Sequence, residues 1–272
     1  MKPSTKELEE LEREIRNLVS HAGAFIKKEF ETFSFNEVSY KGKNDPFSYV
    51  DVTAEEMVRE GGATLLPGSG FINEEADNIP SQNGYEWIID PLDGTVNFIH
   101  GMPHFCVSVA LAYEKEVLVG HVLGVMAGEM FHAIKGNGAF LNHNPIHTSK
   151  QTQLPRSLLV TGFPYSQKDW LESYLNLVGY LIQECHGLRR LGAAALDLAY
   201  VAAGRVEGFF EFGLNPWDVA AGALIIQEAG GTVTDFQGES NFVFGSQILG
   251  TNGKIHQEVL DKMRSYLPGI IE

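Results

Sequence analysis

Between residues 5 and 31, Leu8, Leu11, Ile15, Leu18, Ala22, Ile26 and Phe30 recur at steps of three and four. That spacing gathers side chains on one face of a helix and predicts a long amphipathic helix. The pattern stops at Asp45-Pro46, which breaks regular structure, and a second helix is expected to start near Asp51 to Thr53. "LLPGSG" reads as a loop, followed by a short strand that ends in the acids of "NEEAD", and "YEWIID" has the length and apolar character of a buried strand. Residues 105–149 are a series of β-rich runs joined by Glu-Lys and glycine turns, which suits antiparallel strands. From about residue 155 the texture changes. "SLLVTGFP" predicts a strand, "DWLESYLNLVGYLIQEC" a helix, "GLRRLGAAALDLAYVAAGRVEGFFEF" a turn, helix and strand, and "DVAAGALIIQEAGG" another helix.

Alternating helices and strands imply a layered α/β architecture. We expect an α+β half over residues 1–150 and an α/β half over 151–272. Neither a repeat nor a low-complexity linker separates them, so they should pack as one unit with a site between.

Composition narrows the function. The chain has 272 residues, 44% of them apolar, enough for a real core. No run approaches the ~20 apolar residues needed to span a bilayer. The charged start "MKPSTKELEELEREIRN" lacks a signal-peptide core, so a cytoplasmic protein is expected. Cys106 and Cys185 are too few for a disulfide framework and read as two reduced, buried thiols. A formal charge of −15, from 35 acidic and 20 basic residues, argues against nucleic-acid binding. Solubility alone would explain that charge, although cations gathered in a site would still admit an anionic substrate.

The chemistry concentrates in "WIIDPLDGTVNF", residues 87–98, where Asp90 and Asp93 share a tight turn ahead of Gly94 and Thr95. One reading is the DxDGT loop of haloacid-dehalogenase-type phosphatases, but there the acids are two apart, and the extra residue here re-aims the second carboxylate. The other is a hard-cation site built from carboxylate and main-chain oxygens. That second reading requires more acids, and Glu74, Glu75, Asp51 and Asp218 supply them. Like charges ~4 Å apart cost about 4 kcal/mol per pair at an effective dielectric near 20. Such a cluster titrates with raised pKa values unless divalent cations neutralise it. Asp51 could also simply cap the helix that follows, and Glu211 could be a surface acid ending a strand. His100 and His104 flank Gly101 and Pro103 and cannot form a regular helical metal pair, so structural or solvated histidines are expected. "GGATLLPGSG" lacks the ending of a nucleotide-phosphate loop and reads as a connection.

Together "NEEAD" at 73–77, "WIIDPLDGTVNFIHGMP" at 87–103 and "PWDVAAGALIIQEAGG" at 216–231 resemble the motifs of the inositol monophosphatase family, with support from "KGNGAFLNHNPIHTS" and "RRLGAAALDLAYVAAGRVEGFFE". The resemblance covers nearly the whole chain in order. It implies the alternating helix and sheet layers of the inositol-monophosphatase and fructose-bisphosphatase fold. It also implies two or three Mg²⁺ ions: a first on Glu74, Asp90 and the Leu92 carbonyl, a second on Asp90, Asp93 and Asp218, and a third, weaker one on Glu74 and water. Glu74 and Thr95 would hold the attacking water with Asp51 nearby, and the Gly94 and Thr95 amides would meet the phosphate, as helix N-termini favour. Asp93, Glu211, Asp218 and the backbone near Ala193 and Ala194 would face the substrate.

The implied activity is Mg²⁺-dependent hydrolysis of myo-inositol monophosphate, inhibited by Li⁺, in a homodimer. A broader sugar-phosphate phosphatase, a 3′-phosphoadenosine-5′-phosphate phosphatase and a protein-interaction module are the alternatives. Departures from the family pattern lie at Ser48, where Thr is usual, at Ala193, and at Asn215-Pro216 before Trp217. The last two lie on the substrate side. "GTVNF" favours the inositol-phosphatase branch over the phosphoadenosine-phosphate branch.

Overall fold

The structure, a computed structural model, describes residues 3–34, 36, 38–42, 45–163 and 170–268. Helix α1 (Thr5–Phe30) buries Leu8, Ile15, Val19, Ala22 and Ile26 and is closed at its start by Ser4 and Glu7. The stripe has one polar intruder, Glu12, which is also buried. Asp45-Pro46 does not break regular structure. Strand β2 (Asp45–Ser48) pairs antiparallel with β1 (Val38–Gly42) as a two-stranded sheet, where a proline is tolerated because every strand is an edge. Helix α2 (Tyr49–Leu65) starts two residues earlier than the sequence suggests. Ser48 is its cap: Ser48 Oγ accepts from Val50 N at 3.1 Å, while Asp51 Oδ2 accepts from Ser48 N at 2.8 Å. Asp51 therefore sits in the first turn, three residues past the cap.

A seven-stranded sheet follows, in the order β3 (Gly70–Asn73), β4 (Tyr85–Asp93), β5 (Cys106–Tyr113), β6 (Glu116–Gly124), β7 (Glu129–Ile134), β8 (Ala139–Leu141) and β9 (Asn144–Ile146). Only β3 and β4 are parallel. Alternation along the strands divides its side chains between two cores. Trp87, Ile89, Val109, Leu111 and Val119 pack toward α1 and α2, and Ile88, Ala110, Val122 and Phe131 pack the other way.

A second sheet, of five strands, has the order β11 (Gly187–Arg189), β10 (Leu158–Thr161), β12 (Gly208–Phe212), β14 (Gln247–Thr251) and β13 (Thr232–Thr234). The turn expected at Gly187 is thus a three-residue edge strand, paired in parallel with β10. Helices α5 (Ala194–Ala202) and α6 (Pro216–Glu228) share one core with both sheets, packing with Ile88 and Phe131 on one side and Val160, Phe209 and Ile248 on the other. Helices α4 (Leu171–Glu184) and α7 (His256–Tyr266) cover the outer face of the smaller sheet through Tyr174, Leu177, Leu181, Val259 and Met263. The layers therefore run helix, sheet, helix, sheet, helix.

The middle layer is covered on both sides, so α6 buries an unbroken run from Val219 to Ile226 and shows no polar face. Small residues allow the close approach: a Cβ on Gly120 of β6 would stand 3.0 Å from the Ala221 backbone. A short helix, α3 (Thr95–Ile99), follows β4. Cys106 is buried as expected, whereas Cys185, at the end of α4, is only half-buried. The predicted strand end at Pro164 and helix start at Asp169 lie outside the described residues.

Candidate active site

Strand β4 carries Trp87, Ile88 and Ile89 through the core and delivers two acids at its end. Along the ladder Asp90 pairs with Ser108 but Asp93 pairs with Cys106, so three steps on β4 face two on β5. This is a β-bulge, and it falls on Pro91, which has no N–H to give the ladder. The bulge turns the chain, and Asp90 Oδ1 accepts from Leu92 N at 3.0 Å. Gly94 then takes φ +94°, and a Cβ there would meet His104 O at 3.1 Å and Ala193 Cβ at 3.3 Å. Only glycine suits both the conformation and the space. The turn leads into α3, whose first residue, Thr95, places Oγ1 2.9 Å from Leu92 O and 3.1 Å from Asp51 Oδ1.

Parallel pairing of β3 with β4 sets Asn73 beside Ile89, which brings the next residues, Glu74 and Asp90, together. Their carboxyls are hydrogen-bonded to each other. From the second half of the chain, Asp218 enters at the first turn of α6, its Oδ2 accepting from Asn215 N at 2.6 Å, and it also contacts Asp90. Asp90 and Asp93 are buried, and Glu74 and Asp218 are half-buried. Asp93 is held from the second half too: Oδ1 accepts from Ala194 N at 3.1 Å and Oδ2 from Ala195 N at 2.7 Å, at the start of α5. Cys106 Sγ lies 3.4 Å from the same carboxyl.

Proton affinities report the strain in this arrangement. Burial first, then the Asp218 charge, lifts Glu74 well above the ordinary carboxylate range. Burial and the charges of Glu74 and Asp93 do the same to Asp90. Asp218 is raised to about 7 by burial and by Asp93. Burial also raises Asp93, although the Ala195 and Ala194 amides pull it back, and it raises Asp51 against the bonds from Ser48 and Thr95. Glu211 on β12 is raised well above its ordinary value by burial and by Asp218, with Arg190 opposing. It therefore borders the cluster rather than ending a strand at the surface. A Cβ on Gly162 would overlap the Glu211 carboxyl, so glycine there makes its room.

The structure thus brings together Glu74, Asp90, Asp93, Asp218, Thr95 and Asp51, with Gly94 at the turn and Glu211 at the border. Ala193 and Ala194 are at the site but buried, and the Ala194 N–H is spent on Asp93 rather than standing open to a substrate. Sequence reading missed Glu55, whose carboxylate bonds the loop after Glu74, and Cys106 as a neighbour of Asp93. It also missed Asp197, raised to about 6 by burial and standing 3.5 Å from His104 Nε2. Their sequence contexts are those of helix and strand interiors, which carry no sign of a site.

A second titratable cluster lies on the opposite face of the large sheet. Glu12 Oε1 is 3.0 Å from His121 Nε2, 3.0 Å from His132 Nδ1 and 2.7 Å from an Arg16 nitrogen. The group has ligand types and spacing that could hold a metal ion. Arg16 already supplies a cation to the carboxylate, and the buried His121 Nδ1 has no hydrogen-bond partner. A metal-bound histidine needs a partner for its other ring nitrogen. The cluster is therefore best described as a hydrogen-bonded tie between α1 and the sheet.

At the acid cluster, by contrast, every candidate donor is an oxygen, the set that hard divalent cations take. A single family accounts for both the layers and the motifs. The inositol monophosphatase family model matches residues 7–267, and the chain belongs to that family. Among individual relatives, it is 43% identical to the Nus factor SuhB of Escherichia coli K12 over 247 residues, 90% of this chain and 92% of that protein. The solved extragenic suppressor protein suhB of Bartonella henselae superposes with a TM-score of 0.89 at 34% identity, covering 93% of this chain and 97% of the other. An IMPase of Thermotoga maritima superposes at 0.86 with 33% identity, covering 96% and 99%. No helix among the described residues is long and apolar enough to cross a membrane.

Proposed function

We propose that the protein is a Mg²⁺-dependent phosphomonoesterase that hydrolyses myo-inositol monophosphates. The observation that carries this reading is the meeting of Glu74, Asp90, Asp93 and Asp218, where burial raises all four proton affinities and repulsion from the other acids adds to it at Glu74, Asp90 and Asp218. Such a set is stable in its charged form only when cations lie among the oxygens. Glu74, Asp90 and the Leu92 carbonyl would hold one ion, Asp90, Asp93 and Asp218 a second, and Glu74 with water a weaker third. Ions held by these residues would supply charge to orient the phosphate, acidify water and stabilise the leaving oxygen.

The remaining work falls to the chain. Glu74 and Thr95 hold the attacking water, and Asp51, in contact with Thr95 Oγ1, accepts a proton. The Gly94 and Thr95 amides face the phosphate. Asp93, Asp218 and Glu211 border the alcohol, while Ala193 and Ala194 act through the orientation of Asp93.

Phosphate release from inositol 1-phosphate, fructose 1,6-bisphosphate, 3′-phosphoadenosine 5′-phosphate and an aryl phosphate, with Mg²⁺ titrated from zero and Li⁺ added last, tests the reading. Mg²⁺-dependent, Li⁺-sensitive release that is highest on inositol 1-phosphate supports it. Highest release on fructose 1,6-bisphosphate moves the assignment to a sugar-phosphate phosphatase, and no Mg²⁺-dependent release from any substrate sinks it.

The name Nus factor, borne by a relative 43% identical, motivates a second reading as a protein-interaction module in the transcription machinery. A partner captured equally by wild type and by Asp218→Asn would favour it; a partner captured by neither would end it.

A further inference from the structure

Helix α2 carries two buried carboxylates one turn apart, Asp51 and Glu55. Asp51 Oδ1 meets Thr95 Oγ1 at 3.1 Å. Glu55, 2% exposed, reaches the other side of the site: Oε2 accepts from Glu75 N at 2.9 Å and Oε1 from Ala76 N at 2.7 Å. Both oxygens are thus committed to two successive amides that directly follow Glu74. We propose that Glu55 is a positioning residue that fixes the Glu74 carboxylate, so that α2 acts as a rigid spacer between Glu74 and Thr95.

The inference rests on the reading of Glu74 and Thr95 as the groups that hold water. Its physical basis is independent of that reading. Strand β3 ends at Asn73, and the loop beyond is closed at its base by Asn73 N to Asn78 Oδ1 at 2.9 Å and Asn73 Nδ2 to Asp77 O at 3.1 Å. Those bonds act at the base of the loop, and the backbone amides of its crest receive support of their own. Glu55 supplies it with two charge-assisted bonds, stronger than neutral ones.

The spacer itself is stiff. Residues four apart on a helix share a face, separated by about 6 Å along the axis. Helix α2 is anchored by Val50, Ala54 and Val58 in the core, and a Cβ on Gly62 would stand 2.9 Å from the Trp87 ring of β4. A site whose reacting groups hang on one supported helix keeps its geometry through the cycle, as precise sites require.

The alternative is that Glu55 merely stabilises the loop or adds negative charge near the cations. Two variants separate these. Glu55→Gln keeps the shape but turns an NH₂ group toward one of the two amide donors. Glu55→Asp keeps the charge and loses the reach. If position matters, both impair the site; if charge matters, only Glu55→Gln does. The exposed neighbour Glu56→Gln is the control.

The experiment measures three things on each protein: amide hydrogen exchange at residues 75 and 76 without metal, Mg²⁺ affinity by calorimetry, and kcat and KM for inositol 1-phosphate. We expect faster exchange at both amides in Glu55→Gln and Glu55→Asp, Mg²⁺ binding weakened roughly 10- to 100-fold, kcat reduced with KM little changed, and thermal unfolding near wild type. Glu56→Gln should match wild type throughout. Should Glu55→Gln fail to fold, Glu55→Asp alone carries the test. Faster exchange with wild-type Mg²⁺ affinity and kcat would overturn the proposal, as would unchanged exchange. Wild-type protein that neither binds Mg²⁺ nor releases phosphate would instead overturn the functional reading on which it stands.

Discussion

Two groups of acids and their neighbours are buried on opposite faces of the seven-stranded sheet, and they titrate in opposite directions. Around Glu12, an arginine and two histidines converge on one carboxylate oxygen. Those partners overcome the cost of burial and hold Glu12 well below the usual carboxylate range. Around Asp90, carboxylates face carboxylates, and burial raises them all. Burial is common to both, so what the neighbours offer, hydrogen-bond donors and positive charge in one case and further carboxylates in the other, decides whether a buried acid is charged. One cluster is complete within the chain, and in the proposed function the other is completed by a cation from outside.

That contrast breaks most sharply at Asp218. Asp218→Asn should cost several kcal/mol of transition-state stabilisation, on the order of 10³-fold in phosphate release. The same variant should unfold at a higher temperature than wild type in EDTA, because one repelling charge is gone. Equal turnover in the two proteins would remove Asp218 from the site.

Glu12→Gln should do the reverse. Stability falls by ~3 kcal/mol, since a buried ion pair loses one partner, while turnover per folded molecule stays at the wild-type level. Denaturant titration with a parallel assay reads both.

A smaller effect follows from linkage. A raised carboxylate binds its proton more tightly when folded, so its contribution is present below the unfolded value of 3.8 and is lost as pH rises to about 7 for Asp218. Metal-free protein is therefore weakened at its acid cluster across that window. Saturating Mg²⁺ should raise the unfolding temperature by about 5 °C at pH 8 and by less at pH 5.5.

The Glu12 cluster has the opposite slope. Its depressed carboxylate stabilises the fold above the ordinary value of 4.5, and that contribution is lost as pH falls below it. His121, kept neutral by burial, adds the same trend below 6.5. Glu12→Gln should flatten the acid limb of stability against pH; an unchanged limb would mean that other groups dominate it.

Much of the candidate site could be read from the chain because its chemistry is local. Asp90, Asp93, Gly94 and Thr95 sit within six residues, and the bulge at Pro91 explains why the second acid comes three positions after the first. Glu74 and Asp218 were reachable because each stands at the edge of an element, where an acid has no packing reason to be. Glu55 and Cys106 were not, since each occupies a helix or strand interior and acquires its role only from what folds against it. The same limit applied to the fold. Long periodic segments such as α1 declared themselves, whereas β11 and β13, at three residues each, are too short to show a period and exist through their neighbours. Glu12 interrupts the apolar stripe of α1, and its meaning lies 109 residues away at His121.

The grip of the Ala194 and Ala195 amides on Asp93 has a consequence for how the molecule is made. As the chain emerges from synthesis, all seven strands of the large sheet have been made by residue 146, Asp90 and Asp93 among them. Asp93 gains its two amide bonds only once α5 has been added, and Asp218 arrives later still. Contacts so distant in sequence form slowly and last. Asp90 and Asp93 are therefore made well before the residues that brace them, and a cation site on the proposed pattern is complete only when residues from both halves of the chain are in place.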